Sequence, residues 1–155
     1  MEKDLESEKL PNRHHLPHEI PAWVEQGSRH FITIKAKNCI AKPFGYPAVA
    51  QTLIDALVFY NVNKRWFLWT ATVMPDHLHF IATFDLSYGI KKTIHQWKAY
   101  QTREHGVDFQ TDFFEHRIRN QTEFIEKATY IRMNPVRKGL ASTPETWPYY
   151  WICKQ

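Results

Sequence analysis

His77 and His79 flank a single leucine in the run Val73-Met74-Pro75-Asp76-His77-Leu78-His79-Phe80. Side chains alternate across a strand, so both imidazoles project to one face. At about 7 Å apart along a strand, two such rings can converge on one divalent metal. Leu78, Phe80, Ala82 and Phe84 form an apolar row on the other face. That row needs a core to cover it, which leaves the histidines on the opposite side of the sheet. The chain has nine histidines in 155 residues, so about half of one His-x-His is expected by chance and the spacing alone does not define a site.

A metal at the two histidines needs further ligands and a reaction. Tyr130 and Asn134 are four residues apart, so on a helix they share a face. Asn134 supplies a carbonyl oxygen suited to Mg²⁺ or Mn²⁺. Tyr130 supplies a phenol able to act as a covalent nucleophile. A metal on a phosphate oxygen makes the phosphorus more electrophilic and neutralises developing charge. Tyr100 with Glu104 is an equally spaced pair on another predicted helix, and spacing does not choose between them. His14, His15 and His18 also cluster, but in a polar, proline-containing stretch where solvated side chains are the simpler reading.

Several elements must position these groups. Residues 1–28, with Pro11, Pro17 and Pro21, read as an extended N-terminal arm, and residues 29–155 as one catalytic domain. His30 to Lys37 reads as a strand, rich in β-branched and aromatic residues. Val49, Leu53, Ala56, Leu57 and Tyr60 fall at helical spacing after Pro47. Trp66 to Val73 and His77 to Phe84 read as two strands joined by a tight Met-Pro-Asp link, hence an antiparallel hairpin. A helix capped by Ser87 runs to about His105, with Ile90, Ile94, Trp97 and Gln101 on one stripe and Gly106 at its end. Phe113 to Arg119 is a short fourth strand. Thr122 caps a last helix that runs to about Asn134, where Pro135 stops it. The tail, with Trp147, Tyr149, Tyr150 and Trp151, packs back on the body. This order predicts an α+β, ferredoxin-like split βαβ fold. Its antiparallel sheet has helices on one face and an additional C-terminal helix carrying the tyrosine.

Composition narrows the function classes. The chain is long enough for one domain with a sizeable core, and 43% of it is hydrophobic. No apolar run approaches the length of a membrane span, and the polar, acidic start is not a signal peptide. Two cysteines, Cys39 and Cys153, are too few for a disulfide framework, so a reducing cytoplasm is expected. The net charge of +4 is uneven. Residues 1–28 hold three basic and six acidic side chains, and residues 29–155 hold seventeen and ten. A basic body points to a polyanion such as nucleic acid. Lys91, Lys92 and Lys98 on the helix after the histidine strand, with Arg117, Arg119, Arg132, Arg137 and Lys138 around the tyrosine helix, are the candidate DNA contacts. Trp66, Trp69 and Trp97 read as core.

The two long motifs together resemble the REP-associated tyrosine transposases, a group of single-tyrosine HUH enzymes. Val73 to Phe80 matches that family's V-M-P-(D/N)-H-hydrophobic-H signature. Tyr130-Ile131-Arg132-Met133-Asn134-Pro135-Val136-Arg137-Lys138-Gly139-Leu140 matches its Y-I-x-x-N-P-V-(K/R)-x-G-L signature, and Phe114 to Arg119 resembles the preceding segment. The resemblance spans about residues 27–141. It implies His77 and His79 as metal ligands and Tyr130 as nucleophile. Asn134 falls where related transposases often carry a glutamine that completes the site, and it is one methylene shorter. The implied reaction is cleavage of single-stranded DNA beside a palindromic hairpin, through a 5′-phosphotyrosine and without ATP. The expected partner is single-stranded or hairpin DNA, not a membrane. The expected state is a monomer, cytoplasmic and associated with the nucleoid. One alternative is a catalytically retired hairpin-binding regulator. A third reading is a metal hydrolase of small phosphate esters, which would form no covalent intermediate.

Overall fold

A computed structural model of the chain describes residues 21–154. Five strands form one antiparallel sheet: β1 (Arg29–Lys35), β2 (Trp66–Val73), β3 (His77–Phe84), β4 (Phe114–Ile118) and β5 (Tyr150–Ile152), in the order β4-β1-β3-β2-β5. The helices are α1 (Ala22–Gln26), α2 (Pro47–Val62), α3 (Ile90–His105) and α4 (Gln121–Arg137). The first four strands follow the split βαβ plan read from the sequence, with β3 in the centre. β2 and β3 have the bounds read from the sequence, and Pro75 and Asp76 turn between them. The turn is tied by the Met74 amide donating to the His77 carbonyl at 2.7 Å.

Alternation gives the two faces different covers. Leu78, Phe80, Ala82 and Phe84 join Ile32, Ile34, Leu68 and Val73 under α2 and α3, where Leu53, Leu57, Ile94 and Trp97 complete the main core. Trp66 lies at its centre, its indole N–H donating to the Leu57 carbonyl at 3.0 Å. Phe31, Ile81, Ile118 and Ile131 form a smaller cluster under α4 on the other face. His79, Thr33 and Thr72 share that second face by register.

Several boundaries differ from the sequence reading. The extended-arm reading falls outside the described residues as far as Ile20. From Ala22 the chain is helical, because Val24 buries itself and its amide bonds the Pro21 carbonyl at 3.0 Å. Gly27 then lets the chain pass close to the sheet. A Cβ there would lie 2.3 Å from the Trp23 carbonyl oxygen and 2.8 Å from the Thr83 methyl. Ser87 does not cap α3. Its amide and hydroxyl turn back to Asp85 at 3.1 and 2.6 Å, and the helix starts after Gly89. Asn120, not Thr122, caps α4 by accepting from the Glu123 amide at 2.8 Å, and Glu123 accepts from the Arg119 amide at 2.7 Å. Pro135 does not stop α4. Its missing N–H removes one bond in the last turn, and the helix closes beyond it. The Leu140 amide bonds the Pro135 carbonyl at 2.8 Å and the Gly139 amide bonds Val136 at 3.0 Å, with Gly139 at φ 74°. That is a Schellman cap, which needs glycine at its left-handed position. The aromatic tail adds β5 to the edge of β2.

Candidate active site

Strand β3 fixes the imidazoles and α4 brings the phenol to them. His77 and His79 point to the α4 face, with their Nε2 atoms 3.0 Å apart. Each ring is held at its other nitrogen. His77 Nδ1 meets the Asp76 carboxylate at 2.6 Å, and His79 Nδ1 meets Thr33 Oγ1 at 2.8 Å. A carboxylate only accepts, so His77 Nδ1 carries the proton and donates. Burial pushes His79 down to about 3, helped by His77, Arg137 and Lys138 nearby, so its ring is neutral at pH 7. The His79 tautomer decides which of His79 Nδ1 and Thr33 Oγ1 donates and how the two Nε2 atoms share a proton. Where His79 Nδ1 donates to Thr33, both Nε2 lone pairs are free to ligate a cation.

The residues fit a small divalent ion. Two ligands at about 2.1 Å that meet at a right angle lie roughly 3.0 Å apart, the octahedral spacing that Mg²⁺ demands. Asn134 is only 2% exposed, and its Oδ1 is buried with no hydrogen-bond partner, an oxygen left for something else to use. Among the described residues, no three His, Cys, Asp or Glu side chains come together to hold a metal, so a cation here would rest on the two imidazoles and a neutral oxygen. Two imidazoles and one amide oxygen would leave positions open for phosphate and water.

Tyr130 lies against this pair. Its ring centroid is 5.5 Å from that of His79, and the residue is 40% exposed. The Arg137 guanidinium sits 4.5 Å above the Tyr130 ring and donates to the Tyr130 carbonyl at 3.1 Å. Lys138, Lys42, Asp76 and His77 line a cleft of about 250 Å³ beside the histidines. Tyr100 is on α3, next to His105 and on the other side of the sheet. The structure therefore separates the two tyrosines that spacing left equal.

The predicted DNA contacts split between the faces. Arg137 and Lys138 lie at the histidine site. Arg132 pairs with Glu145 on the exposed side of α4, and Arg119 is exposed at the turn into that helix. Lys91 and Lys92 lie on α3, across the sheet, where Lys92 sits 4.6 Å over Tyr88 and Lys91 lines a shallow cleft with His95 and Glu115. Arg117 alternates to that same side, opposite His30 in register. Lys98 is not a DNA contact. It is buried, and its Nζ donates to the Gln110 and Thr111 carbonyls at 2.6 and 3.0 Å. Burial also pushes its pKa down. Sequence reasoning missed Thr33 and Lys42, which reach the site only through strand register and a loop. Asp76 stood inside the histidine motif, and its place directly before His77 was the available signal.

Comparison with known proteins gives the family. The chain is 32% identical over 136 residues to the REP-associated tyrosine transposase of Escherichia coli (strain K12), covering 84% of this chain and 80% of that protein. This chain belongs to the REP-associated tyrosine transposase family. It is thus an enzyme of the DNA transposase class. A solved structure of the REP-associated tyrosine transposase bound to a REP hairpin shares the fold, with a TM-score of 0.63 and 24% identity over 80% of this chain and 76% of that one. A second solved structure, from Deinococcus radiodurans R1, matches with a TM-score of 0.53 and 13% identity over 74% and 91%. No family model matches the chain.

Proposed function

We propose that this chain cuts and rejoins single-stranded DNA at hairpin sequences through a 5′-phosphotyrosine on Tyr130. His77, His79 and Asn134 would hold a divalent cation, Mg²⁺ or Mn²⁺. The observation that carries the reading is the pair of Nε2 atoms 3.0 Å apart, both Nδ1 atoms engaged, with the Tyr130 ring leaning on one of them. The hairpin in the solved relative supports the choice of DNA. When bound, the cation would polarise the scissile phosphate and neutralise charge that develops on it.

The chain's own groups do the rest. Tyr130 Oη attacks the phosphorus, and its proton leaves to solvent. The P–O3′ bond breaks, the phosphate stays with the 5′ side as a phosphotyrosine, and the 3′ oxygen takes up a proton. A 3′-hydroxyl can then attack the phosphotyrosine and restore a phosphodiester and the free phenol. Two diesters exchange, so no ATP is needed. Arg137 and Lys138 supply positive charge beside the phosphate path. Tyr130 and His79 meet within one chain, so a monomer has the whole site. Among the described residues no helix is long and apolar enough to cross a membrane. A chromosomal DNA substrate would place the working chain in the cytoplasm, at the nucleoid.

The test is incubation with Mn²⁺ and a hairpin oligonucleotide that carries a single-stranded flank, followed by a denaturing gel. A protein–DNA adduct is expected. It should vanish in Tyr130→Phe and with chelator. An adduct that survives Tyr130→Phe removes Tyr130 from the role. Tight hairpin binding without any adduct, indifferent to His77→Ala, would replace this reading with the retired regulator.

A further inference from the structure

The α4 face carries an exposed aromatic side chain beside the site that neither the core nor the proposed cleavage step uses. Phe114 opens β4, the edge strand of the sheet, and is 57% exposed. Scattered exposed apolar residues are ordinary, but this one is continuous with the active site. Register places Phe114 opposite Thr33 on β1, and Thr33 opposite His79 on β3. Neighbouring strands are about 4.8 Å apart, so Phe114 stands roughly 10 Å across the sheet from His79. Phe31 lies between. Its ring meets Phe114 edge to face at 6.3 Å and 74°, and Tyr130 at 6.1 Å and 72°. One buried ring therefore braces both exposed ones.

A cation stands beside them. Lys127 is three residues before Tyr130 and shares its side of α4, with Nζ 5.3 Å from the centre of the Phe31 ring. A braced aromatic beside a flexible ammonium is the pairing that holds single-stranded nucleic acid, with the ring stacking a base and the cation meeting a phosphate. An edge strand that exposes phenylalanine is otherwise an aggregation liability.

We propose that Phe114 and Lys127 form a subsite in which an unpaired nucleobase of the single-stranded flank stacks on Phe114, beside the scissile phosphate at Tyr130. This proposal rests on the single-stranded DNA reading above. The base is recognised by its π face, so the subsite positions the strand with little preference among bases.

The test uses full-length Tyr130→Phe protein with Mn²⁺, so that cutting does not intervene. The probes are a hairpin with a single-stranded flank carrying 2-aminopurine and the same hairpin without its flank. Stacking on Phe114 should quench the 2-aminopurine. Phe114→Ala should lose the quench and weaken binding of the flanked probe by about tenfold, leaving the unflanked hairpin unchanged. Phe114→Leu keeps an apolar contact with Phe31 but has no π face, and it should behave like alanine. Phe114→Trp should restore both signals. Lys127→Ala should lower the slope of log affinity against log salt by about one. If the parent binds the flanked probe and Phe114→Ala and Phe114→Leu bind it equally well with the quench intact, the subsite is wrong and the functional reading stands. If the parent binds neither probe, the functional reading falls and takes the subsite with it.

Discussion

One sheet carries two faces built to opposite rules. Beneath α2 and α3, Leu78, Phe80, Ala82 and Phe84 meet Trp66, Trp97, Leu53 and Leu57 in a continuous apolar layer. Beneath α4 the apolar cluster is four buried residues, and beside it stand His79, Thr33, Thr72 and Asn134, all buried and polar. Burying polar groups costs stability unless each finds a partner. His79 and Thr33 satisfy each other, whereas the Asn134 oxygen has none. The first face supplies the stability that lets the second hold its groups in a costly arrangement. Substitutions along one strand should separate the two.

The largest expected effect is on chemistry. Tyr130→Phe removes one oxygen from a half-exposed ring, so covalent adduct should fall to background while the melting temperature stays within a few degrees. A large fall in melting temperature would show that the two faces are not independent.

Leu78 tests the dry face from between the two histidines. It is fully buried, so Leu78→Ala should cost about 2–5 kcal/mol in urea unfolding. His77→Ala, one residue away and pointing to the other face, should unfold within about 1 kcal/mol of the parent. Its Mn²⁺ affinity, read by calorimetry, should fall by about 100-fold or more. If both variants lost stability alike, the division of labour would be wrong.

Thr33 sharpens the comparison at one hydrogen bond. Thr33→Val keeps the shape and removes the oxygen that holds His79 Nδ1. The ring can then turn or change tautomer, and Mn²⁺ affinity should drop about 10- to 100-fold. Asp76→Asn should act similarly through His77. Unchanged Mn²⁺ affinity in both would mean that these partners do not orient the rings.

How much was legible in the sequence also divides by face. The bounds of β2 and β3 were legible; in β3 strict alternation sets one long apolar row opposite the histidines, whereas a bulge between Leu68 and Thr70 breaks the alternation of β2. The histidine pair and Tyr130 were legible because two motifs carried them. Thr33 was not, since it touches His79 through a strand register that no local pattern encodes. Lys98 looked like its neighbours Lys91 and Lys92, and only the carbonyls of Gln110 and Thr111 show it to be structural. Arg117 read as part of the tyrosine region, yet one step of alternation in β4 sends it across the sheet. The stop expected at Pro135 failed because the Gly139 cap closes the helix from beyond it.

The smallest expected effect is a pH dependence confined to the polar face. His79 titrates near 3 when folded, against an ordinary value of 6.5 for the exposed ring of the unfolded chain. Between those values the unfolded chain binds the extra proton, so acid favours unfolding. The contribution is intact above about pH 6.5 and is lost progressively as pH falls toward 3. With chelator present, the urea midpoint of the parent should therefore decline from pH 7 to pH 5. His79→Gln, which has no titrating ring, should decline less steeply over the same interval, and Leu78→Ala, weakened on the dry face, should keep the parent's slope. Equal slopes in the parent and His79→Gln would assign the acid sensitivity to other groups. It would also show that His79 gains its proton without unfolding the α4 face.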